Sequence, residues 1–436
     1  MKKFLSALVG VAVLTGMGIV EVTQSKTGKT SQITVPIVDS SQEQEGVSES
    51  ITGVEGVQGV KGIFALGNDG QGWRETSVTA CPANRMGNLV NADRVLCRAG
   101  EAYETLDSTW ADPDVVGAYV RLPWSAVQLA PGTDDDNFDF SALDRELDQA
   151  VRYGKKISLS FGAGADGTPL WLREAGIQTY VFQDGGSDLA AGSCGRTMTL
   201  GNPTDLAYQA EYFNLIRKAG EHIQTTPDWF DAIAYFKISG ANLFTHEMRL
   251  PNRCMPGCIC NSEVWSEAGY TPEGMAAFVA NQMAVIQEAL PGKPMVYQVI
   301  QDGLPDIGND GATSGSTVVR STDQLDEILN QGSDAYGPLF VVAHNGLGTV
   351  VLPNPWVVRY GNQGQPTGFQ TRNPSEIRSG ASLQSALENL WDNTTAQYLE
   401  VYEEVLWKIR AQGELVDDSV STTNTLAEWN NLLQTR

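Results

Sequence analysis

The feature that most constrains this chain is a regular alternation of apolar strands with amphipathic helices. Eight short segments have the length and composition of buried strands: residues 63–66, 115–122, 157–161, 232–238, 295–300, 339–343, 367–370 and 398–402. Apolar residues at helical spacing lie between most of them, in residues 140–153, 206–223, 271–290, 322–330 and 383–389, and residues 403–411 follow the last strand. Strands that alternate with helices pair in parallel, so eight such units predict an α/β fold, a (β/α)8 barrel.

An open, doubly wound sheet is the alternative arrangement for the same alternation. That fold places a Gly-rich phosphate-binding turn after its first strand, and no such turn follows residues 63–66. A length of 436 residues also suits one barrel with insertions. We therefore expect residues 63–412 to form the barrel, with Ser141 as the N-cap of its first long helix.

The N-terminus has the pattern of an export signal. Lys2 and Lys3 precede an apolar run over residues 4–20, which is short for a spanning helix of roughly 20 residues. This pattern predicts a signal peptide or membrane anchor over residues 1–24, and the Ser-, Thr- and Gly-rich residues 25–62 a flexible spacer. We expect a secreted or extracytoplasmic protein that contacts a membrane only through this segment, and a C-terminal tail over residues 413–436.

The composition limits which partners the protein can bind. Hydrophobic residues make up 42% of the chain and the net charge is −23. Nucleic-acid binding needs a basic surface, so a nucleic-acid partner is excluded and a neutral ligand is favoured. The oligomeric state cannot be predicted from the sequence.

Six cysteines fit an oxidising compartment: Cys81, Cys97, Cys194, Cys254, Cys258 and Cys260. An even number of cysteines in an exported chain predicts disulfide bonds, although the sequence does not determine how they pair. The three closely spaced residues Cys254, Cys258 and Cys260 leave a thiolate metal site as the alternative. We expect disulfides and no metal.

In a barrel of this kind the active site lies at the C-terminal ends of the strands. The predicted strand ends carry polar and aromatic residues, as a carbohydrate site does, and two of the three histidines are among them. The candidate substrate-binding residues are Arg121, Trp124, Trp171, Asn242, His246, His344, Asn345, Gln370 and Tyr402. The two tryptophans have the apolar faces that stack on sugar rings, with a place in the core as their alternative role.

Two glutamates are the candidate catalytic pair of a glycosidase, which needs two carboxylates on either side of the scissile bond. Glu247 follows the fourth predicted strand and is the candidate acid/base; an ordinary ion pair with Arg249 or Arg253 is its alternative role. Strand alternation puts Glu400 on the inner face of the eighth strand, away from Leu399. A structural carboxylate bonded to Arg121 or a tyrosine is the alternative for Glu400, and Asp302 and Asp166 are weaker candidates.

Part of the chain resembles a known clan of enzymes. Residues 118–132 (AYVRLPWSAVQLAPG) and 137–164 (NFDFSALDRELDQAVRYGKKISLSFGAG) resemble the front half of the (β/α)8-barrel retaining glycoside hydrolases that include β-galactosidases and cellulases. Arg121 matches an arginine of the clan's second strand, and Trp124 and Pro131 match a segment that follows it. The resemblance covers about a quarter of the chain, so it bears more on the fold than on the activity.

The clan's catalytic residues match this sequence less well. Its acid/base is the Glu of an Asn-Glu pair that ends the fourth strand, whereas here His246 precedes Glu247 and the nearest asparagine is Asn242. Its nucleophile is a Glu that ends the seventh strand, where this chain has Gln370. Either Glu400 takes that role, or the strand count is wrong by one, or the protein is a non-hydrolytic relative.

These patterns lead to three functional hypotheses. The first is an exported glycoside hydrolase that cleaves O-glycosidic bonds of a neutral oligo- or polysaccharide with two carboxylates and no cofactor. The second is a catalytically inactive barrel that binds carbohydrate or a surface partner, which Gln370 favours. The third is a metal hydrolase that uses His246 and His344, although no His-x-His pair follows the first strand.

Overall fold

The computed structural model describes eleven stretches or single residues of the chain. They are residues 60–67, 107–165, 167–184, 193–308, 313, 318–349, 353–372, 377, 380–403, 405–406 and 425–436. The predicted export signal, all of the spacer before residue 60, Cys81, Cys97 and Asp166 lie outside these residues.

Eight parallel strands close into a barrel in which each strand pairs with the next along the chain and the last pairs with the first. The strands are β1 Gly62–Leu66, β2 Gly117–Pro123, β3 Lys156–Gly162, β4 Ile233–Lys237, β5 Met295–Val299, β6 Phe340–Leu347, β7 Thr367–Thr371 and β8 Tyr398–Tyr402. Closure runs through a parallel register from Gly62 opposite Tyr398 to Leu66 opposite Tyr402. The predicted (β/α)8 barrel is confirmed, and the open sheet is wrong because β1 and β8 are hydrogen-bonded neighbours.

Helices connect and surround the strands. They are α1 Asp107–Trp110, α2 Trp124–Val127, α3 Ser141–Tyr153, α4 Leu206–Gln224, α5 Pro227–Ala232, α6 Asn261–Glu267, α7 Pro272–Ala289, α8 Ser321–Tyr336, α9 Pro355–Asn362, α10 Gly380–Asn393 and α11 Leu426–Thr435. Antiparallel pairs form two small sheets, Thr179–Asp184 with Arg196–Gly201 and Ile307–Gly308 with Val318–Val319. Within the described ranges, none of the helices combines the length and the apolar character needed to cross a bilayer.

Local capping explains where two of the long helices begin. Thr271 accepts a hydrogen bond from Gly274 N and caps α7 as a threonine in that position should. The predicted cap of α3 is wrong, because Ser141 is already the first helical residue. The carboxylate of Asp139 accepts the hydrogen bond from Ser141 N instead, at 2.9 Å.

The barrel has two apolar regions, because each strand alternates between facing its interior and facing the helices. Leu399 and Val401 belong to the large core between the strands and the helices. Tyr398 belongs to a smaller cluster in the barrel interior, together with Phe64 and Tyr235. The predicted inner face of β8 is therefore confirmed, and it carries Tyr398 and Glu400.

The last residues of the chain form a helix that the sequence analysis did not predict. A capping box between Thr425 and Glu428 begins α11, and Trp429 and Leu433 are buried. Asn430 Oδ1 accepts a hydrogen bond from Ile63 N at 2.8 Å. The chain end thus packs against the strand that begins the barrel.

Candidate active site

The loop that follows β4 is folded around the side chain of Asn242. Its Oδ1 atom accepts hydrogen bonds from Ala163 N, Gly240 N and Ser239 Oγ, each at 3.0 Å. Its Nδ2 atom donates to the backbone oxygen of Glu247 at 2.7 Å. Asn242 is 1% exposed, and its amide holds the loop that carries Glu247.

Glu247 lies in this loop with its side chain buried. It is 3% exposed, and its Oε2 atom has no hydrogen-bond partner among the described residues. Burial lowers the pKa of Lys237, and the charges of Glu400 and Glu247 oppose that shift, which places Glu247 within electrostatic reach of the barrel interior. A buried carboxylate oxygen without a donor is unfavourable, so the position is suited to a ligand or water that supplies the missing contact.

Glu400 is as buried as Glu247, but its oxygens are paired. Its Oε1 atom accepts a hydrogen bond from Tyr235 OH at 2.7 Å, and its Oε2 atom forms an ion pair with Lys237 Nζ at 2.5 Å. These partners belong to β4, which lies across the barrel from β8, so the contacts run through the interior. The residue has no exposed surface, and its partners are a tyrosine and Lys237, not Arg121.

His246 is held in place by a chain of hydroxyl groups from two strands. Tyr119 OH and Ser160 Oγ are 2.8 Å apart, and Ser160 Oγ lies 2.7 Å from His246 Nδ1. Burial lowers the pKa of His246 well below its ordinary value, and the charges of Arg121 and Lys237 act in the same direction. His246 is therefore a neutral imidazole at neutral pH.

Arg121 belongs to the barrel interior. It is 1% exposed and donates a hydrogen bond from Nη2 to the backbone oxygen of Gly67. Its Cζ atom lies 5.7 Å from the centroid of the Tyr119 ring. The residue that matches the clan's arginine thus binds the end of β1 in this structure.

The two candidate tryptophans pack in the core behind the strands. Trp124 has no exposed surface and makes edge contacts with the rings of Trp171, Tyr208 and Tyr212. Both indole N–H groups donate to Gln128, Trp124 to its side chain and Trp171 to its backbone oxygen. Both rings belong to the large apolar core between the strands and the helices.

His344 is partly exposed at the C-terminal end of β6, beside Asn345. Its Nδ1 atom accepts a hydrogen bond from Gly346 N at 3.1 Å, so the neutral ring carries its proton on Nε2. Burial, assisted by the charge of Arg372, lowers the pKa of His344 to about 4. At neutral pH this histidine is an uncharged hydrogen-bond donor.

Gln370 lies in β7, the seventh strand of the barrel, as predicted. An error of one in the number of strands is therefore excluded as the reason for the missing glutamate. In the register of the barrel it is the direct neighbour of Glu400. Its Oε1 atom accepts a hydrogen bond from Gln298 Nε2 at 3.1 Å, and its Nε2 atom lies 3.4 Å from Tyr402 OH. The position where the clan carries its nucleophile is thus part of a buried amide chain.

Disulfides occupy the described cysteines. Cys194 pairs with Cys258, and Cys254 pairs with Cys260. Because Cys254, Cys258 and Cys260 all take part in these bonds, the alternative of a thiolate metal site at these three residues is wrong. Across the described ranges, no group of three or more His, Cys, Asp or Glu side chains is arranged to hold a metal ion.

Of the weaker carboxylate candidates, only Asp302 can be placed. It is exposed, with a backbone φ of 54°, in the left-handed region that Asp tolerates better than most residues. Asn252 Nδ2 donates to its backbone oxygen, so the contact involves the turn and not the carboxylate. Asp302 therefore has the features of a turn residue.

The sequence analysis missed two interior residues of this site, Lys237 and Tyr119. A signal was present, because strand alternation puts Tyr235 and Lys237 on the face of β4 opposite Phe236. A lysine within an apolar barrel strand has to face a counter-charge, which points to the inward glutamate of another strand.

Comparison with known proteins assigns no family to this chain. The sequence matches no protein-family model and no curated protein. Among solved structures, the β-amylase catalytic domain of Paenibacillus polymyxa is 11% identical with a TM-score of 0.44, and the match covers 66% of this chain and 85% of that domain.

Two β-galactosidases are also similar in structure. The enzyme of the psychrophilic Marinomonas ef1 is 11% identical with a TM-score of 0.37, over 73% of this chain and 54% of the enzyme. That of the Antarctic haloarchaeon Halorubrum lacusprofundi is 12% identical with a TM-score of 0.36, over 65% of this chain and 48% of the enzyme. The chain therefore spans about half of the length of each β-galactosidase.

Proposed function

We propose that this protein is an exported glycoside hydrolase that cleaves O-glycosidic bonds of a neutral oligo- or polysaccharide. The observation that carries the proposal is the carboxylate of Glu247, buried at the active-site end of the barrel with Oε2 unpartnered among the described residues. Protein interiors rarely leave such an atom without a partner unless a ligand or water completes the site. Two disulfides support the export part of the proposal, since they persist in oxidising compartments.

In this proposal Glu247 is the acid/base. It donates a proton to the glycosidic oxygen as the bond to the leaving sugar breaks, and later removes a proton from the attacking water. Glu400 supplies the second negative charge from inside the barrel and stabilises the positive charge that develops on the sugar ring. His344 presents its Nε2–H group to a sugar oxygen at the strand ends.

A matched pair of variants tests this role. Glu247→Gln keeps the shape of the side chain and removes its proton transfer, so we expect hydrolysis to fall by about 10²–10⁴-fold. Glu288→Gln is the control, because it changes a surface ion pair with Arg217 on the outside of the barrel. Release of reducing ends from a panel of neutral polysaccharides is the measurement, and equal activity of Glu247→Gln and wild type would overturn the assignment.

The second candidate is a barrel that binds carbohydrate without cleaving it. Two observations favour it: β7 carries Gln370, and Glu400 is neutralised by Lys237 with no exposed surface. Calorimetric binding to a neutral polysaccharide without release of reducing ends would support this candidate over the first.

The variant Gln370→Glu separates the two candidates further. It restores a carboxylate where the clan carries its nucleophile, beside Glu400 in the neighbouring strand. If the barrel has lost its nucleophile, we expect binding to be kept and slow hydrolysis to appear in this variant. If Glu400 already serves as the second carboxylate, the added negative charge lowers hydrolysis below that of the wild type.

A further inference from the structure

Lys237 occupies the centre of the polar interior. Its side chain is 2% exposed, and its Nζ atom lies 2.5 Å from Glu400 Oε2 and 2.8 Å from Gln298 Oε1. The same atom lies 3.9 Å from the centroid of the Tyr119 ring. An ammonium group has three N–H donors and no acceptor, so these three contacts match its capacity.

The lysine also determines the direction of the hydrogen bonds that lead to the barrel mouth. Because Lys237 can only donate, Gln298 must turn its Oε1 atom towards it and its Nε2 atom towards Gln370. Gln370 then accepts through Oε1 and turns its own Nε2 towards Tyr402 OH. One cation therefore orients both amides of this chain.

We infer that Lys237 is a positioning residue of the site, which keeps Glu400 an inward-facing carboxylate and orients the chain Gln298–Gln370–Tyr402. The consequence for catalysis rests on the proposed glycosidase function, whereas the charge pairing does not. The charged groups that act on Lys237 are Glu400, Glu247 and Arg121, from β8, the loop after β4, and β2.

The pH dependence of folding tests the pairing without a substrate. In Lys237→Met, the buried Glu400 has lost its counter-charge and is expected to take up a proton in the folded state. Relative to wild type, the folding equilibrium constant should then fall as pH rises above the pKa of an unfolded glutamate, by up to about tenfold per pH unit. Urea unfolding at several pH values measures how the folding equilibrium constant depends on pH.

Removing the other partner, in Glu400→Gln, should make the folding constant depend on pH in the opposite direction. Glu400→Gln removes the carboxylate that is bonded to Lys237, which is then expected to lose its proton on folding. The folding equilibrium constant should therefore rise with pH below the pKa of an unfolded lysine, by up to about tenfold per pH unit. Lys237→Met/Glu400→Gln has no charge at either position and should show the slope of the wild type. If Lys237→Met does not fold, the Glu400→Gln slope and the double variant still decide the question.

Equal slopes in all four proteins would overturn the inference, because loss of packing alone lowers stability equally at every pH. Hydrolysis of the neutral polysaccharide panel is measured on the same proteins. If the wild type does not hydrolyse any of them but the opposite slopes are found, the glycosidase proposal fails and the role of Lys237 stands. If the wild type hydrolyses one of the polysaccharides and the four slopes are equal, the glycosidase proposal stands and the inferred role of Lys237 fails.

Discussion

Glu247 and Glu400 are both buried in the same barrel, but their surroundings differ. Glu400 has a partner for each oxygen, Tyr235 and Lys237, and lies in the interior. Glu247 has its backbone held by Asn242, while its Oε2 atom has no partner among the described residues. Glu400 is thus a carboxylate whose contacts within the protein are complete, whereas the contacts of Glu247 leave one oxygen for a ligand.

The comparison predicts a large difference in stability between truncations of the two glutamates. Glu400→Ala leaves Lys237 buried without its counter-charge, so we expect the free energy of unfolding to fall by about 3–5 kcal/mol. Glu247→Ala removes an unpaired buried carboxylate and should change it by less than about 1 kcal/mol. Urea unfolding near neutral pH measures both, and equal losses would show that the two carboxylates are equally well paired.

Acid should destabilise the protein through its neutral histidines. The pKa of His344 falls from 6.5 to about 4 on folding, so below pH 6.5 the unfolded chain takes up a proton that the folded chain does not. Keeping His344 neutral therefore costs no stability above pH 6.5. As pH falls from 6.5 towards 4, the free energy of unfolding decreases by at most about 3 kcal/mol. His246 shifts in the same direction and adds to the loss.

Unfolding in urea at about pH 7 and about pH 4.5 checks the acid effect. His344→Gln does not titrate in this range, so its stability should depend less steeply on pH than that of the wild type. An unchanged slope in this variant would mean that His344 is not held neutral in the folded protein.

The attachment of the Glu247 loop should depend on Asn242. Asn242→Ala removes the acceptor of Ala163 N and Gly240 N, so we expect a loss of about 2 kcal/mol in the free energy of unfolding. If Asn242 only positions the loop, through its hydrogen bond to the backbone of Glu247, hydrolysis should fall through kcat while KM changes little. A rise in KM at constant kcat would return Asn242 to the role of a substrate-binding residue.

Much of the fold follows from local patterns that can be read from the residues. The period of apolar positions predicted α4 and α7 to within one residue at each end, and the segment 398–402 is β8 as predicted. The alternation in β8 also predicted that Glu400 faces inward. These features need only the neighbours of each residue along the chain.

The candidate site was harder to predict, because its chemistry depends on which strands meet across the barrel. Lys237 and Glu400 are 163 positions apart, and only closure of the sheet brings their charges together. Likewise, no local pattern decides that Trp124 packs behind the strands, since a tryptophan beside a strand end suits either a core or a sugar site.

By itself, the sequence determined the eight alternating units, the inward face of β8 and the strand ends at which polar residues collect, because periodicity is a short-range property. Only the tertiary structure decided that Glu400 is paired, that Glu247 keeps an unpartnered oxygen among the described residues and that Cys194 bonds to Cys258. The physical reason is that burial, charge pairing and disulfide bonding depend on distances in space between residues remote in the chain.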